Sequence, residues 1–462
     1  MTRVAHRILP LVLVCWNLCL LAQDGSLDFS FDPGTGANST IQSISLQPDG
    51  KIIIGGYFTN FNGYERNYIA RLNSDGTVDT SFEVGAGTNG PIFCIARQLD
   101  GKILIAGAFD TYDNTSRHNI ARLNVDGSLD ISFDPGAGPN SFVNSTDIQP
   151  DGKVLIGGEF TSYDGILRNR IARLNINGSL DNGFNPELAP SAPVLSTVVL
   201  SNAGIIVSGG FSGSIGLLNA DGSLNNTFNS GTGVSGTIWP TAGQVDGKIL
   251  IGGYFYGYDG VPRNSLARLN IDGSLDLSFD PLSGTTGTIF SITTTIDGRI
   301  LVGGAFGSFN GTPRNGIARI NSDGSLDSGF DPGAGADALI RATVLQSDGK
   351  ILIGGEFTSF AGTARNGIAR LNNAPVGIQE AEAPQTAVFP NPSQGCISIT
   401  TSMAGLLAIT VSDISGRVVL KDQVQPLNSR PLLIRLEDQT PGTYLVSLTG
   451  KQGTVTERII VQ

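Results

Sequence analysis

Residues 148–186 read IQPDGKVLIGGEFTSYDGILRNRIARLNINGSLDNGFNP. Within this stretch VLIGGEF and RIARLN are short apolar runs rich in branched residues, and GSLDNGF alternates apolar and polar positions. Runs of this length between Asp-Gly and Asn-Gly signals are β-strands. A further strand is expected just upstream, from Val143. PDGK and NINGS read as tight hairpin turns. The other two connections, FTSYDGILRN and the segment after FNP, are long. With the strands called a to d from the channel outward, the long b–c and d–a connections share one face. Long loops on a rigid scaffold are where function concentrates.

The passage is one copy of a repeat. Phe160 has counterparts at Phe58, Phe109, Phe211, Phe255, Phe306 and Phe357, every 51 residues except for the step of 44 between Phe211 and Phe255. Strand a has counterparts starting at Ile41, Ile92, Val194, Ile238, Ile289 and Ile340. Four short antiparallel strands in about 50 residues is one blade of a propeller. The sequence therefore predicts an all-β chain with a seven-bladed β-propeller over residues 23–372. The array begins with GSLDFSFDPG at Gly25, a strand d without its a, b and c, and ends with GIARLNN, a strand c without its d. The two fragments are expected to complete one blade and close the ring, hiding sheet edges that an open array would expose. Repeat four is shorter because it lacks the b–c connection.

Composition agrees. The chain has 462 residues, 62 glycines and only 15% charged residues, which suits many turns and close sheet packing. Its net charge is −11, which argues against nucleic acid and anionic membranes as partners. Residues 1–22 carry Arg3 and Arg7 ahead of the apolar run ILPLVLVCWNLCLLA, the pattern of a secretory signal peptide. No other run is long enough for a transmembrane anchor. Cys94 and Cys396 lie in different segments, so no disulfide framework is expected. Residues 373–385 form a Pro/Ala/Glu-rich linker. Residues 386–462 carry six or seven short alternating strands, a small immunoglobulin-like β-sandwich.

The tail resembles the type A sorting domain of the type IX secretion system of Bacteroidetes. FPNPSQG at Phe389–Gly395, VSDISGRVV at Val411–Val419, PGTYLV at Pro441–Val446 and the terminal ERIIVQ carry that resemblance. Its motif residues are Pro390, Asn391, Pro392, Gly416, Arg417, Gly442 and Tyr444. It implies the type IX machinery as partner, passage through the periplasm, and a secreted or outer-surface location. The repeats LDxSFDPGxG, QPDGKILIGG and RNxIARLN resemble the delta-sixty repeats of secreted bacterial proteins. That resemblance implies a propeller and no particular reaction.

Most polar residues recur with the repeat, so they read as scaffold. The strand-c arginines Arg71, Arg122, Arg173, Arg268, Arg319 and Arg370 are expected to pair with strand-d aspartates such as Asp79 and Asp130; repeat four has Leu217 there. The loop arginines Arg66, Arg117, Arg168, Arg263, Arg314 and Arg365 read as loop braces or as forks for the carboxylates of acidic glycans. Asn321, Asp323 and Asp327 show the NxDGSxD pattern, which reads as a hairpin turn or a weak calcium site; no other cofactor is implied. His118 is the only histidine beyond the signal segment, so a Ser-His-Asp set would have to use it. Glu159 and Glu356 depart from the repeat but sit in separate units, whereas glycoside hydrolysis needs two neighbouring carboxylates.

One position varies where scaffold should repeat. Directly after the start of strand a stand Gln42, Phe93, Asn144, Leu195, Trp239, Phe290 and Arg341. Trp239 lies in one repeat with Tyr254, Tyr256 and Tyr258, beside the shortened unit. Aromatic faces over a groove suit sugars and other flat ligands. Trp239, Tyr254, Tyr256, Tyr258, Phe93, Phe290 and Arg341 are accordingly the candidate ligand-binding residues. The leading function is a binding module for a surface glycan or an extracellular protein. The alternatives are a carboxylate-dependent glycan-active enzyme and a purely structural or adhesive spacer.

Overall fold

The computed structural model describes residues 23–295, 297–373, 386–389, 393, 396–401, 407–424, 432–436, 439–450 and 453–462. The proposed signal segment 1–22, residues 374–385 of the proposed linker 373–385 and the motif residues Pro390, Asn391 and Pro392 lie outside them. The chain divides into two compact units, Met1–Pro375 and Val376–Gln462.

The first unit is all-β. In repeat three, strand a (Val143–Ile148) pairs with b (Val154–Gly158), and b pairs with c (Ile171–Leu174), all antiparallel. Among the described residues seven such sheets follow one another. Each strand a lies beside the next one, and Ile340–Leu345 of repeat seven lies beside Ile41–Leu46 of repeat one, so the inner strands form a ring. Strands b and c are buried throughout, as continuous apolar runs require. The core lies between sheets: Leu104, Ala106 and Ile120 of repeat two cluster with Val143, Val154 and Phe160 of repeat three. Burying each such side chain contributes roughly 1.5–3 kcal/mol.

The ring is fastened as its two end fragments imply. Leu27 bridges Leu371, Gly25 N–H donates to the carbonyl of Asn372 at 2.7 Å, and Asp28 N–H donates to that of Arg370 at 2.8 Å. Phe31 is fully buried in the same seam.

Two local readings change. Strand d is reduced to one bridge, as between Leu123 and Leu129. The chain turns at once because Asp130 Oδ1 accepts both the N–H and the hydroxyl of Ser132. The b–c connection is itself a small hairpin: Ser162–Tyr163 pairs with Ile166–Leu167. Asp164 and Gly165 turn it at φ 46° and 76°, the doubly positive geometry of a two-residue hairpin turn.

The second unit has a three-stranded sheet in the order Thr386–Phe389, Cys396–Thr401, Leu432–Arg435. Its four-stranded sheet runs Val418–Val424, Leu407–Asp413, Gly442–Gly450, Gly453–Val461. Ile397 and Ile399 from one sheet and Ile409, Val411, Val446 and Leu448 from the other share one core, which makes a sandwich. Gly416, at φ 87°, turns the hairpin that Arg417 ties to Asp413 at 3.0 Å. Gly442 pairs with Val461, and the Tyr444 hydroxyl donates to the Thr440 carbonyl at 2.7 Å.

Candidate functional site at the channel mouth

The variable position in each strand a is a β-bulge. In repeat one Ile41 pairs with Gly56 and Ser43 with Gly55, so Gln42 has no partner across the ladder. The same skip falls at Phe93, Asn144, Leu195, Phe290 and Arg341, and at Trp239 together with Pro240. A bulge re-aims a side chain. Here all seven are aimed into one cavity of about 690 Å³ at the end of the channel, which Tyr57, Thr40 and Glu356 also line. The glycine that faces the bulge on strand b, present in every repeat from Gly56 to Gly355, makes the bulge possible. A Cβ on Gly158 would meet the carbonyl oxygen of Phe142 at 2.1 Å, so no larger residue fits beneath it.

The mouth has two aromatic sectors. Tyr57 and Phe93 lie 5.9 Å apart between centroids, in repeats one and two. Trp239 and Phe290 meet edge to face at 5.5 Å, in repeats five and six. Trp239 is 38% exposed, so it is not enclosed between sheets. Arg341 stacks 4.2 Å over the Phe290 ring, and its Nε and Nη2 both donate to Oε1 of Glu356, at 3.0 and 2.7 Å. Burial raises the Tyr57 hydroxyl above its ordinary range, Glu356 adding to and Arg341 opposing that shift, so Tyr57 presents a neutral hydroxyl. Lower in the channel wall Asp147 accepts the Val199 N–H of the next inner strand at 2.7 Å, and burial raises its carboxyl.

The three tyrosines of repeat five do not join this cavity. Tyr258 is fully buried, and its hydroxyl donates to the Gly273 carbonyl at 2.5 Å. It occupies the core position that Phe61, Tyr112, Tyr163, Phe309 and Phe360 fill in other repeats. Tyr254 and Tyr256 are exposed and hydrogen-bond each other through their hydroxyls. Tyr256 lines a separate groove with Val234 and Val261. The notch beside repeat four and the tryptophan are therefore distinct features.

A second ring is built from charge. In repeat two, Arg122 Nε donates to Asp130 Oδ2 at 2.7 Å, Lys102 reaches the same oxygen at 2.8 Å, and Arg122 Nη1 donates to the Ile176 carbonyl of the next repeat at 2.6 Å. Phe133 lies under the guanidinium. The pattern recurs to the end, where Arg370 pairs with Asp28 and reaches the Ser74 carbonyl, joining repeat seven to repeat one. Arg319 grips both Asp24 and Asn373. Burial alone would raise these carboxyls, but hydrogen bonds from lysine, serine and arginine hold Asp79 and Asp130 well below the ordinary range, and those from Lys153, Arg173 and the Gly183 N–H hold Asp181 at about 2. In repeat four Gly204, Leu217 and Asn225 stand where the others have the cation, the arginine and the aspartate.

The remaining polar candidates serve structure. Each loop arginine donates Nη1 to the carbonyl just before it, as Arg168 does to Leu167 at 2.8 Å, which braces the hairpin. Asp323 accepts from the N–H and hydroxyl of Ser325, and Asp327 is held by Arg319, so the calcium-like pattern is turn chemistry. His118 lies between Ser116 (Nε2, 3.3 Å) and Asp110 (Nδ1, 3.2 Å), the connectivity of a proton relay. The Asp110 side chain is 71% exposed, however, and a hydrated carboxylate on an open hairpin neither fixes the ring nor excludes water. Glu159 is not among the residues lining the mouth, where Glu356 is the one carboxylate among the described residues.

Comparison with known proteins agrees with this architecture. Residues 47–82, 98–133, 149–184, 244–279, 297–330 and 346–373 match the family described as "Domain of unknown function (DUF5122) beta-propeller". Repeat four is not among the matched segments. Residues 387–462 match the secretion system C-terminal sorting domain. The chain thus carries propeller repeats followed by a type IX sorting domain, and the protein is secreted or displayed at the cell surface. Among the described residues no helix is long and apolar enough to cross a membrane. No curated protein matches.

The fold is similar to PorZ, a surface component of the type IX secretion system of Porphyromonas gingivalis, at 14% identity and TM-score 0.46 over 92% of this chain and 60% of that one. It is also similar to a streptogramin B lyase (16%, TM-score 0.46, 74% and 94%) and to a fungal alcohol oxidase of the AA5 family (14%, TM-score 0.45, 93% and 98%). The chain thus spans 60% of the length of PorZ. Identities this low concern the fold alone.

Proposed function

We propose that this secreted propeller is a binding module that takes a glycan or a segment of an extracellular protein into the channel mouth. One observation carries the reading. The bulge and its glycine recur in all seven repeats, while the side chain the bulge presents changes from Gln to Phe, Asn, Leu, Trp, Phe and Arg. A scaffold that repeats geometry and varies chemistry where seven side chains converge is suited to recognition. The cavity, about 690 Å³, is of ligand-site size. A carboxylate-pair hydrolase would need a second acid beside Glu356, whose Oε1 is already held by Arg341. The type IX machinery enters as the export partner.

The test is binding by the whole mature chain to arrayed glycans and to extracellular proteins, repeated with Trp239→Ala and Phe290→Ala. The expected result is a ligand lost in both variants with folding unchanged. A ligand retained by both variants would place binding elsewhere. A chain that binds nothing would leave the propeller as a spacer.

A further inference from the structure

We infer that the ligand at the mouth is an uncharged saccharide, read by the self-neutralised Arg341–Glu356 pair beside the Trp239–Phe290 corner. This rests on the binding reading above and narrows it to one ligand class.

The argument starts from charge. Among the described residues lining the cavity, Arg341 is the one cation and Glu356 the one carboxylate. Two guanidinium N–H groups converge on a single oxygen, so the pair cancels before any ligand arrives. An acidic ligand gripping the guanidinium with two oxygens would have to displace Glu356, and one accepting from Nη1 alone would lie beside the Glu356 carboxylate. A cationic ligand meets the opposite obstacle in Arg341.

What the pair still offers is one acceptor, Oε2 of Glu356, and one donor group, Nη1 of Arg341. Neither has a hydrogen-bond partner among the described residues. A hydroxyl both donates and accepts, so neighbouring hydroxyls can satisfy the two together. The rest of the polar lining is also neutral: Gln42, the Tyr57 hydroxyl and Asn144, whose amide already donates to the Val194 carbonyl at 3.2 Å. Trp239 and Phe290 next to these groups supply the apolar surface that the C–H face of a pyranose covers. Hydroxyl partners next to an aromatic face match a neutral sugar.

The experiment uses the full mature chain on an array carrying neutral hexose oligosaccharides, oligogalacturonates and sialylated glycans, followed by calorimetry on the strongest hit. The variants are Glu356→Gln, Trp239→Ala and, as a control, Glu159→Gln. Neutral glycans should bind. Trp239→Ala should weaken them at least tenfold, and Glu159→Gln should leave them unchanged. Glu356→Gln frees the charge of Arg341, so it should shift the preference at least tenfold towards oligogalacturonate. Wild-type preference for uronate or sialylated glycans, lost in Trp239→Ala, would overturn the neutral assignment and leave the mouth as the site. Neutral binding that survives Trp239→Ala would overturn the mouth itself. An array with no hits, alongside a protein ligand lost in Trp239→Ala, would overturn the saccharide while the binding reading stands.

Discussion

The propeller carries two rings with one contribution per repeat, and they behave in opposite ways. The arginine ring uses the same side chain at six of seven positions, and each of these arginines bonds its sheet to the next. The bulge ring repeats its backbone and differs in most side chains. Both are polar or mixed, and both lie at sheet ends, so composition does not separate them. Partnership does. Each arginine has its aspartate, its ring face and, in most copies, a carbonyl of the following repeat. Of the bulge residues, Trp239, Phe290 and Arg341 meet one another, and all seven line the cavity. The first ring is an assembly device, and the second is a surface held open.

Deleting Gly25–Phe31 should break the first ring most severely. It removes the bridge to Leu371, strips Arg370 and Lys350 of Asp28, and empties the place of Phe31. Losing a buried Phe costs about 3–5 kcal/mol, and orphaning a buried charge about 3–5 more. Total stability is of order 5–15 kcal/mol, so the truncated chain should aggregate or melt far below the parent in calorimetry and size-exclusion. A truncated chain melting close to the parent would show that the clasp does not hold the ring.

A smaller effect tests the arginine ring through its natural exception. Arg122→Ala leaves buried Asp130 with Lys102 and the Ser132 hydrogen bonds but without its guanidinium, at an expected cost of about 3–5 kcal/mol by denaturant unfolding. The set Lys102→Gly, Arg122→Leu and Asp130→Asn copies repeat four. It should cost clearly less than the single change, because no charge stays behind. If the triple variant is the less stable, the three residues do not act as a unit.

Acid should act on the same ring. Burial opposes ionisation of Asp79, Asp130, Asp181 and Asp276, but their lysine and arginine partners, with a serine or, for Asp181, the Gly183 N–H, prevail and lower each carboxyl from its ordinary 3.8. A depressed folded value stabilises above the unfolded one and is lost as pH falls through the folded one. The melting temperature should therefore hold from neutrality to about pH 4 and fall towards about 2, where Asp181 protonates. A flat profile across that window would remove these pairs from the stability of the ring.

The smallest stability effect is expected at the other ring. Trp239→Ala gives up an exposed indole and one edge-to-face contact, about 1 kcal/mol, while ligand binding should disappear. A loss of several kcal/mol would place Trp239 with the scaffold.

Much of this was legible in the sequence, for reasons visible in particular residues. Exact spacing revealed the sheets, and the recurrence of Arg and Asp eight residues apart exposed the pairs, as at Arg71 and Asp79. The missing d of repeat seven pointed to residues 25–31. What stayed hidden depended on local geometry. The Gly157–Gly158 doublet was the signal for the bulge, but only the register shows that Asn144 is unpaired beside it. The Asp-Gly pair at 164 and 165 signalled a hairpin inside a stretch that length alone marked as loop. Comparing Tyr258 with Tyr163 and Phe309 would have assigned it to the core, whereas proximity in sequence to Trp239 grouped it with the site.

The fastening of residues 25–28 against Arg370–Asn372 also has a genetic consequence. The clasp is made from the two outermost pieces of the array, and the internal steps are whole units of 51 residues with one of 44. Unequal exchange between two internal copies therefore adds or removes one complete sheet and leaves both halves of the clasp in place. Each event also adds or removes one side chain at the mouth. Copy number thus changes the circumference of the ring and the chemistry of its rim in a single mutational step.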